Sequence, residues 1–178
     1  MSEECCSGHT SRVPSVHQTL DEMAFERGIW SAAMDGNVEK LKYFLSKGVD
    51  PSSCDTSGYT ALHYAARHGK ETACKILLCH RANPNAQTHG GATPLLRAAY
   101  VGHTSIISLL LQYNADPFIS DSDGKTPLHK AAEGQHFAAA NILVTVRPEL
   151  KSVKDKRGLT PVQYVDAKNT ELLKLLCV

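Results

Sequence analysis

The chain lacks an excess of either charge sign: 19 Lys and Arg oppose 18 Asp and Glu, for a formal net charge of +1 over 178 residues. Bulk charge therefore gives no reason to expect a nucleic-acid partner. Long hydrophobic runs are also missing. The longest apolar stretches, such as Ile106-Ile107-Ser108-Leu109-Leu110-Leu111, fall far short of the roughly 18 residues of a membrane-crossing helix, so no membrane contact is expected. The opening Met1-Ser2-Glu3-Glu4-Cys5-Cys6 has no basic-then-apolar signal segment, and no Asn-x-Ser/Thr acceptor occurs in the chain. The expectation is an intracellular, cytoplasmic protein to which the nucleus is also open.

Catalytic signatures are absent as well. There is no His-Glu-x-x-His, no Gly-x-Ser-x-Gly and no dinucleotide glycine pattern. Gly124-Lys125-Thr126 matches the end of a phosphate-binding loop, but residue 119 is Ile where that loop needs its first glycine. A non-enzymatic protein without a cofactor is expected. The six cysteines, Cys5, Cys6, Cys54, Cys74, Cys79 and Cys177, are irregularly spaced and read as free thiols rather than a disulfide framework. Cys5, Cys6 and His9 fall short of the four ligands and rigid frame of a structural zinc site, so no metal is expected.

What is present is a repeat. Gly58-Tyr59-Thr60-Ala61-Leu62-His63-Tyr64-Ala65-Ala66 returns after thirty-three residues as Gly91-Ala92-Thr93-Pro94-Leu95-Leu96-Arg97-Ala98-Ala99, and after thirty-three more as Gly124-Lys125-Thr126-Pro127-Leu128-His129-Lys130-Ala131-Ala132. Looser copies lie at Ile29-Trp30-Ser31-Ala32-Ala33 and Gly158-Leu159-Thr160-Pro161-Val162-Gln163. A period of this length marks a supersecondary unit that buries its apolar face only by stacking on its neighbours.

Local chemistry predicts the form of each unit. Thr60, Thr93 and Thr126 are placed to cap a first helix, and Pro94 and Pro127 occupy its first turn, where a missing N–H does no harm. Gly36, Gly69 and Gly102 end that helix in the left-handed conformation. A second helix follows, with the pairs Phe44-Leu45, Leu77-Leu78, Leu110-Leu111 and Leu143-Val144 as a row of core side chains. Cys74 falls in the inward slot of Leu41 and Ile107, where a thiol packs as a small hydrophobe. In the fourth unit Gln135 takes the glycine phase and Gly134 stands one residue early. Either Gln135 is left-handed, at a strain of about 1–2 kcal/mol, or the helix end shifts onto Gly134. With Pro148 closing the fourth second helix and one extra residue before Gly158, the last junction is expected to be the weakest.

Gly-x-Thr-Pro-Leu-His-x-Ala-Ala, then Gly-His, then Leu-Leu, resembles the ankyrin repeat. The resemblance implies an all-α solenoid of about five helix-turn-helix units with short projecting turns or hairpins. The units are a disordered tail at 1–18, an N-terminal capping repeat at 19–54, repeats at 55–87, 88–120 and 121–154, and a C-terminal capping repeat at 155–178. Thr19-x-x-Glu22 forms a capping box before the first helix, and Met23, Phe25 and Trp30 are expected to seal the N-terminal end. Asp55, Asp121 and Asp155 mark the projecting turns. Thr88 takes the place of Asp in the third unit and, with His89, Gly90 and Gly91, predicts the most pliable finger.

The resemblance also places function on the concave face, formed by finger tips and first helices. There the repeat phase gathers Tyr59, Tyr64, Arg67, His68, Arg97, Tyr100, Lys125 and Lys130, with His89 on its finger. Tyrosine beside arginine is a common hot-spot composition. The expected function is an interaction module or adaptor, monomeric, that binds another protein through an acidic or phosphorylated segment. Two alternatives accompany it: an inhibitor that occludes a signalling or transcription partner, and a substrate of an asparagine hydroxylase at Asn85, whose inter-repeat phase resembles that modification site. His63 and His129 resemble residues that bond across neighbouring turns.

Overall fold

The computed structural model describes residues 28–177. The tail at 1–18, the Thr19–Glu22 box, Met23, Phe25, and Cys5, Cys6 and His9 lie outside the described residues. Within them the chain forms helical pairs: α1 (Ile29–Asp35) with α2 (Val38–Ser46), α3 (Ala61–Arg67) with α4 (Glu71–Cys79), α5 (Pro94–Val101) with α6 (Thr104–Gln112), and α7 (Pro127–Glu133) with α8 (Phe137–Val146). A 3-10 turn at Pro148–Ser152 follows α8. The last unit pairs a second 3-10 turn, Pro161–Tyr164, with α9 (Thr170–Cys177). The fold is an all-α solenoid of five stacked units.

Two layers result. The first helices α1, α3, α5 and α7 and the Pro161–Tyr164 turn pack in order on one side, and α2, α4, α6, α8 and α9 pack in order on the other. Small residues set the spacing of the first layer: Ala32, Ala33, Ala65, Ala66, Ala98, Ala99, Ala131 and Ala132 are all buried. Between the layers runs the row Leu41, Cys74, Ile107 and Ala140, with Leu77, Leu110 and Leu143 beside it, all inaccessible to solvent. Burial pushes the Cys74 thiol up to about 12, so it stays protonated and packs as an apolar side chain.

The helix starts follow from three local devices. Thr93 Oγ1 accepts the Leu96 N–H at 3.3 Å, and Pro94 and Pro127 sit at the first helical positions. In the second and fourth units the residue three places on is histidine, and a reciprocal capping box forms with Thr60 and Thr126. Trp30 donates its indole N–H to the Ser53 carbonyl at 3.1 Å, fastening the first unit to the following turn.

The fourth unit resolves the choice posed by Gly134 and Gln135. Gln135 is left-handed, with φ 59°, and Gly134 is right-handed, with φ −78°; the helix end does not shift. Gly134 is required for another reason. A Cβ there would lie 2.5 Å from His136 Cδ2 and 2.8 Å from the Tyr100 carbonyl. The left-handed Gln135 in turn projects its amide across the last junction, donating to the Tyr164 carbonyl at 3.1 Å and accepting from the Asp166 N–H at 3.1 Å.

Between units the chain projects as tight turns, one of which closes on a single antiparallel bridge between Cys54 and Thr60. Neighbouring turns are tied to each other: His89 N–H to the Ser57 carbonyl at 3.1 Å, Ser122 N–H to Gly90 at 2.8 Å, and Lys156 N–H to Asp123 at 3.0 Å. The finger holding His89 is thus fastened on both sides, although Thr88 gives it one side-chain bond, to the Ala92 N–H at 3.1 Å, where each aspartate gives two.

Candidate functional site on the concave face

A groove of about 510 Å³ runs along the first-helix side, lined by residues that include Arg67, Leu96, Arg97, Tyr100, Lys130 and Glu133. Four of the sequence-predicted residues thus meet in one place: Arg67, Arg97, Tyr100 and Lys130. α3 supplies the first, α5 the next two and α7 the last, each from the outward side of a helix whose other side is fixed by buried alanines. Leu96, Gly90, Ser122 and Asp121 also line the groove and were not foreseen. The first three sit at unrelated phases of the repeat, Leu96 being itself buried, and only their place along one groove unites them.

The basic groups differ in how they are held. Lys130 pairs with Asp121 at 2.9 Å and approaches Glu133 at 3.8 Å. Arg97 lies over the Tyr59 ring, its guanidinium carbon 5.0 Å from the centroid, and donates to the Tyr59 hydroxyl; such stacking fixes the guanidinium plane. Its Nε is shielded from solvent and has no hydrogen-bond partner. Arg67 is exposed and makes no ion pair among the described residues. Tyr100 is 52% exposed, which leaves its ring accessible to a ligand.

Several expected residues stand elsewhere. Lys125 turns inward: it is buried, pairs with Glu133 at 3.1 Å, and lies 4.4 Å from the centroid of the Tyr164 ring. Burial lowers its ammonium, but the bond to Glu133 outweighs this and the net direction is upward. It braces the last junction rather than lining the groove, because the following turn folds over the surface its phase would otherwise expose. Tyr64 is half-buried and donates to Asp55 Oδ2 at 2.6 Å, with burial and that carboxylate both pushing its phenol upward. Tyr59 serves as the platform for Arg97. His68 caps the end of α3 and is exposed, and His89 is exposed on its finger; neither lines the groove.

The inner histidines are structural. His63 Nδ1 accepts the Thr60 N–H at 3.1 Å, which fixes the neutral tautomer, so Nε2–H donates to the Ala92 carbonyl at 2.9 Å. His129 repeats the arrangement with Thr126 and Leu159. Burial lowers both, His63 to about 4. His103 and His136 reach back one unit to the carbonyls of Arg67 and Tyr100, at 3.2 and 3.1 Å.

Asn85 joins two inter-repeat turns. Its Nδ2 donates to the Asn114 carbonyl at 3.2 Å and its Oδ1 accepts the Asp116 N–H at 2.8 Å. Among the described residues no cluster of three or more His, Cys, Asp or Glu side chains is arranged to hold a metal ion, and no helix is long and apolar enough to cross a membrane.

Stacked helical pairs with linked fingers and one continuous groove define a helical-repeat solenoid. Residues 29–121, 82–154 and 97–178 match the sequence model of ankyrin repeats in three copies, and the chain belongs to the ankyrin-repeat family, whose repeats mediate protein–protein interaction. It is similar to ankyrin repeat domain-containing protein 39 of Bos taurus, 63% identical over 65 residues that cover 36% of this chain and 35% of the relative. The protein of that name from Homo sapiens is 55% identical over 71 residues, 40% of this chain and 38% of the relative. The chain thus matches little more than a third of the length of these relatives. It is also similar to potassium channel KOR2 of Oryza sativa subsp. japonica, 48% identical over 44 residues, 25% of this chain and 6% of the channel. Repeats of this kind therefore sit in proteins of quite different kinds, and the fold does not select a function.

Proposed function

We propose that the protein is a non-enzymatic interaction module whose concave groove binds an acidic or phosphorylated segment of another protein. The observation that carries this reading is the convergence of Arg67, Arg97 and the half-exposed Tyr100 on one groove, with Arg97 preset by the Tyr59 ring. Arginine supplies planar, charge-assisted hydrogen bonds to carboxylate or phosphate, and tyrosine covers apolar side chains at low entropic cost. Tyr64 and Lys125 support this surface from behind, through Asp55 and Glu133. Lys130 remains at its edge, and His68 and His89 flank it.

The test is affinity capture from cells with the full chain against a variant carrying Arg67→Ala, Arg97→Gln and Tyr100→Ala, at unchanged helical circular dichroism. The reading expects a defined partner to be lost, and its complex with the unaltered chain to weaken as salt is raised. Retention of every partner by the variant would count against it. The same capture, with the partner's activity measured on addition of the chain, separates an adaptor from an occluding inhibitor.

Asn85 supports a second reading, as a hydroxylation substrate, because it sits in an exposed inter-repeat turn. Its two amide atoms are already engaged with Asn114 and Asp116, so modification requires that turn to open. An intact mass from cells without an added oxygen would dismiss this reading.

A further inference from the structure

A brace recurs along the fingers and is broken at one place. Asp55 Oδ1 accepts the N–H groups of Ser57 and Tyr59 at 2.9 and 2.8 Å, while Oδ2 accepts from the side chain nine positions on, Tyr64, at 2.6 Å. Asp121 repeats this with Asp123, Lys125 and, nine positions on, Lys130 at 2.9 Å. Asp155 repeats it with Arg157, Leu159 and Tyr164. One carboxylate oxygen holds the turn and the other holds the first helix.

In the third unit Thr88 stands at the aspartate position and Arg97 nine positions on. The single Thr88 hydroxyl is taken by the Ala92 N–H, and Arg97 has no carboxylate of its own unit to meet. The two acidic groups that line the groove, Asp121 and Glu133, are already engaged by Lys130 and by Lys125. Arg97 therefore faces the groove with its charge uncompensated, fixed in plane by Tyr59.

We propose that a partner's carboxylate supplies in trans the group that Thr88 fails to supply in cis. The occupant is an aspartate or glutamate side chain of an acidic segment, paired with Arg97, with Arg67 on one flank and the Tyr100 ring against the neighbouring residue. A carboxylate is favoured over a phosphate because the residue at the phase of Arg97 meets a carboxylate in each of the three braced units, as Tyr64, Lys130 and Tyr164. This proposal rests on the reading of the groove as the partner surface and adds to it the anchor and the chemistry of the ligand.

The experiment follows the arginine Nε–H resonances of the full chain, at low ionic strength, during titration with hexaglutamate and separately with inorganic phosphate. The expected result is a saturable shift of Arg97 at lower hexaglutamate than phosphate concentration. Thr88→Asp, which installs the missing carboxylate, should weaken hexaglutamate binding by about fivefold or more. Arg97→Gln, read at Arg67, should do the same, while Lys75→Ala on the outer layer should change nothing. Absence of a saturable shift, tighter phosphate binding, or a hexaglutamate affinity in Thr88→Asp or in Arg97→Gln equal to that of the unaltered chain would each overturn the proposal. If groove variants still lose their cellular partner while hexaglutamate ignores Thr88→Asp, the anchor alone is wrong. If groove variants keep every partner, the reading beneath it fails.

Discussion

At the scale of single residues, His63 ties stability to pH. The folded ring takes up a proton only near 4, against 6.5 for the free side chain, because burial opposes the charge and Nδ1 must stay bare to accept the Thr60 N–H. The unfolded chain therefore binds the proton first. The contribution is whole above 6.5, is lost progressively as pH falls toward 4, and amounts to about 3 kcal/mol. Urea unfolding between pH 7 and 4 should show this loss, and His63→Leu, which copies Leu96 of the next unit, should flatten it. Equal slopes in both proteins would refute the assignment. Gly134→Ala is a second residue-scale case. Its φ is ordinary for alanine and helix propensity would favour the change, but the added Cβ meets His136 and the Tyr100 carbonyl, so a loss of about 1–3 kcal/mol is expected by chemical denaturation. The inner histidines were readable from phase and resemblance. The role of Gly134 was not, because a missing Cβ leaves no trace in periodicity and its need arises from a side chain of the next turn.

At the scale of elements, helix starts and stops were legible because they rest on local rules: threonine caps, proline in the first turn, glycine at the end. The finger brace was legible only in part. The replacement of aspartate by Thr88 was visible, but its bearing on Arg97 depends on a bond spanning nine positions from turn to helix, which no helical or strand period reveals. Lys125 was misplaced on the groove for a related reason: its phase is outward within its own unit, and only the next finger covers it. Gln135 permits a test of element-level energetics. Gln135→Gly relieves the left-handed backbone while losing the bonds to Tyr164 and Asp166; Gln135→Ala loses the same bonds and keeps the strain. Alanine should therefore be less stable than glycine by about 1–2 kcal/mol. Equal stabilities would show that the backbone at this position is unstrained. Within α6, Leu110 is fully buried between the layers, and Leu110→Ala should cost about 2–5 kcal/mol.

At the scale of the whole molecule, a solenoid's stability is a sum over units and their junctions, so its ends and its middle need not open together. The last unit replaces a first α-helix by the short turn Pro161–Tyr164, yet Gln135, Lys125 and the His129 bond to Leu159 all cross into it. Hydrogen exchange should be slowest in α4 to α6 and faster across residues 155–177, and the reverse order would reject the expectation of a weaker last junction. Stacking was legible from the period of thirty-three alone; the groove was legible only in part, through Arg67, Arg97, Tyr100 and Lys130, since its lining comes from three units and depends on which side chains neutralise one another. The central claim is that a partner lies in this groove. It is tested most directly by a photo-crosslinking amino acid placed in cells at Tyr100, in the groove, or at Tyr43, 58% exposed on α2 of the other layer. The account predicts a discrete protein adduct from position 100 and none from position 43; an adduct from 43 with none from 100 would contradict it.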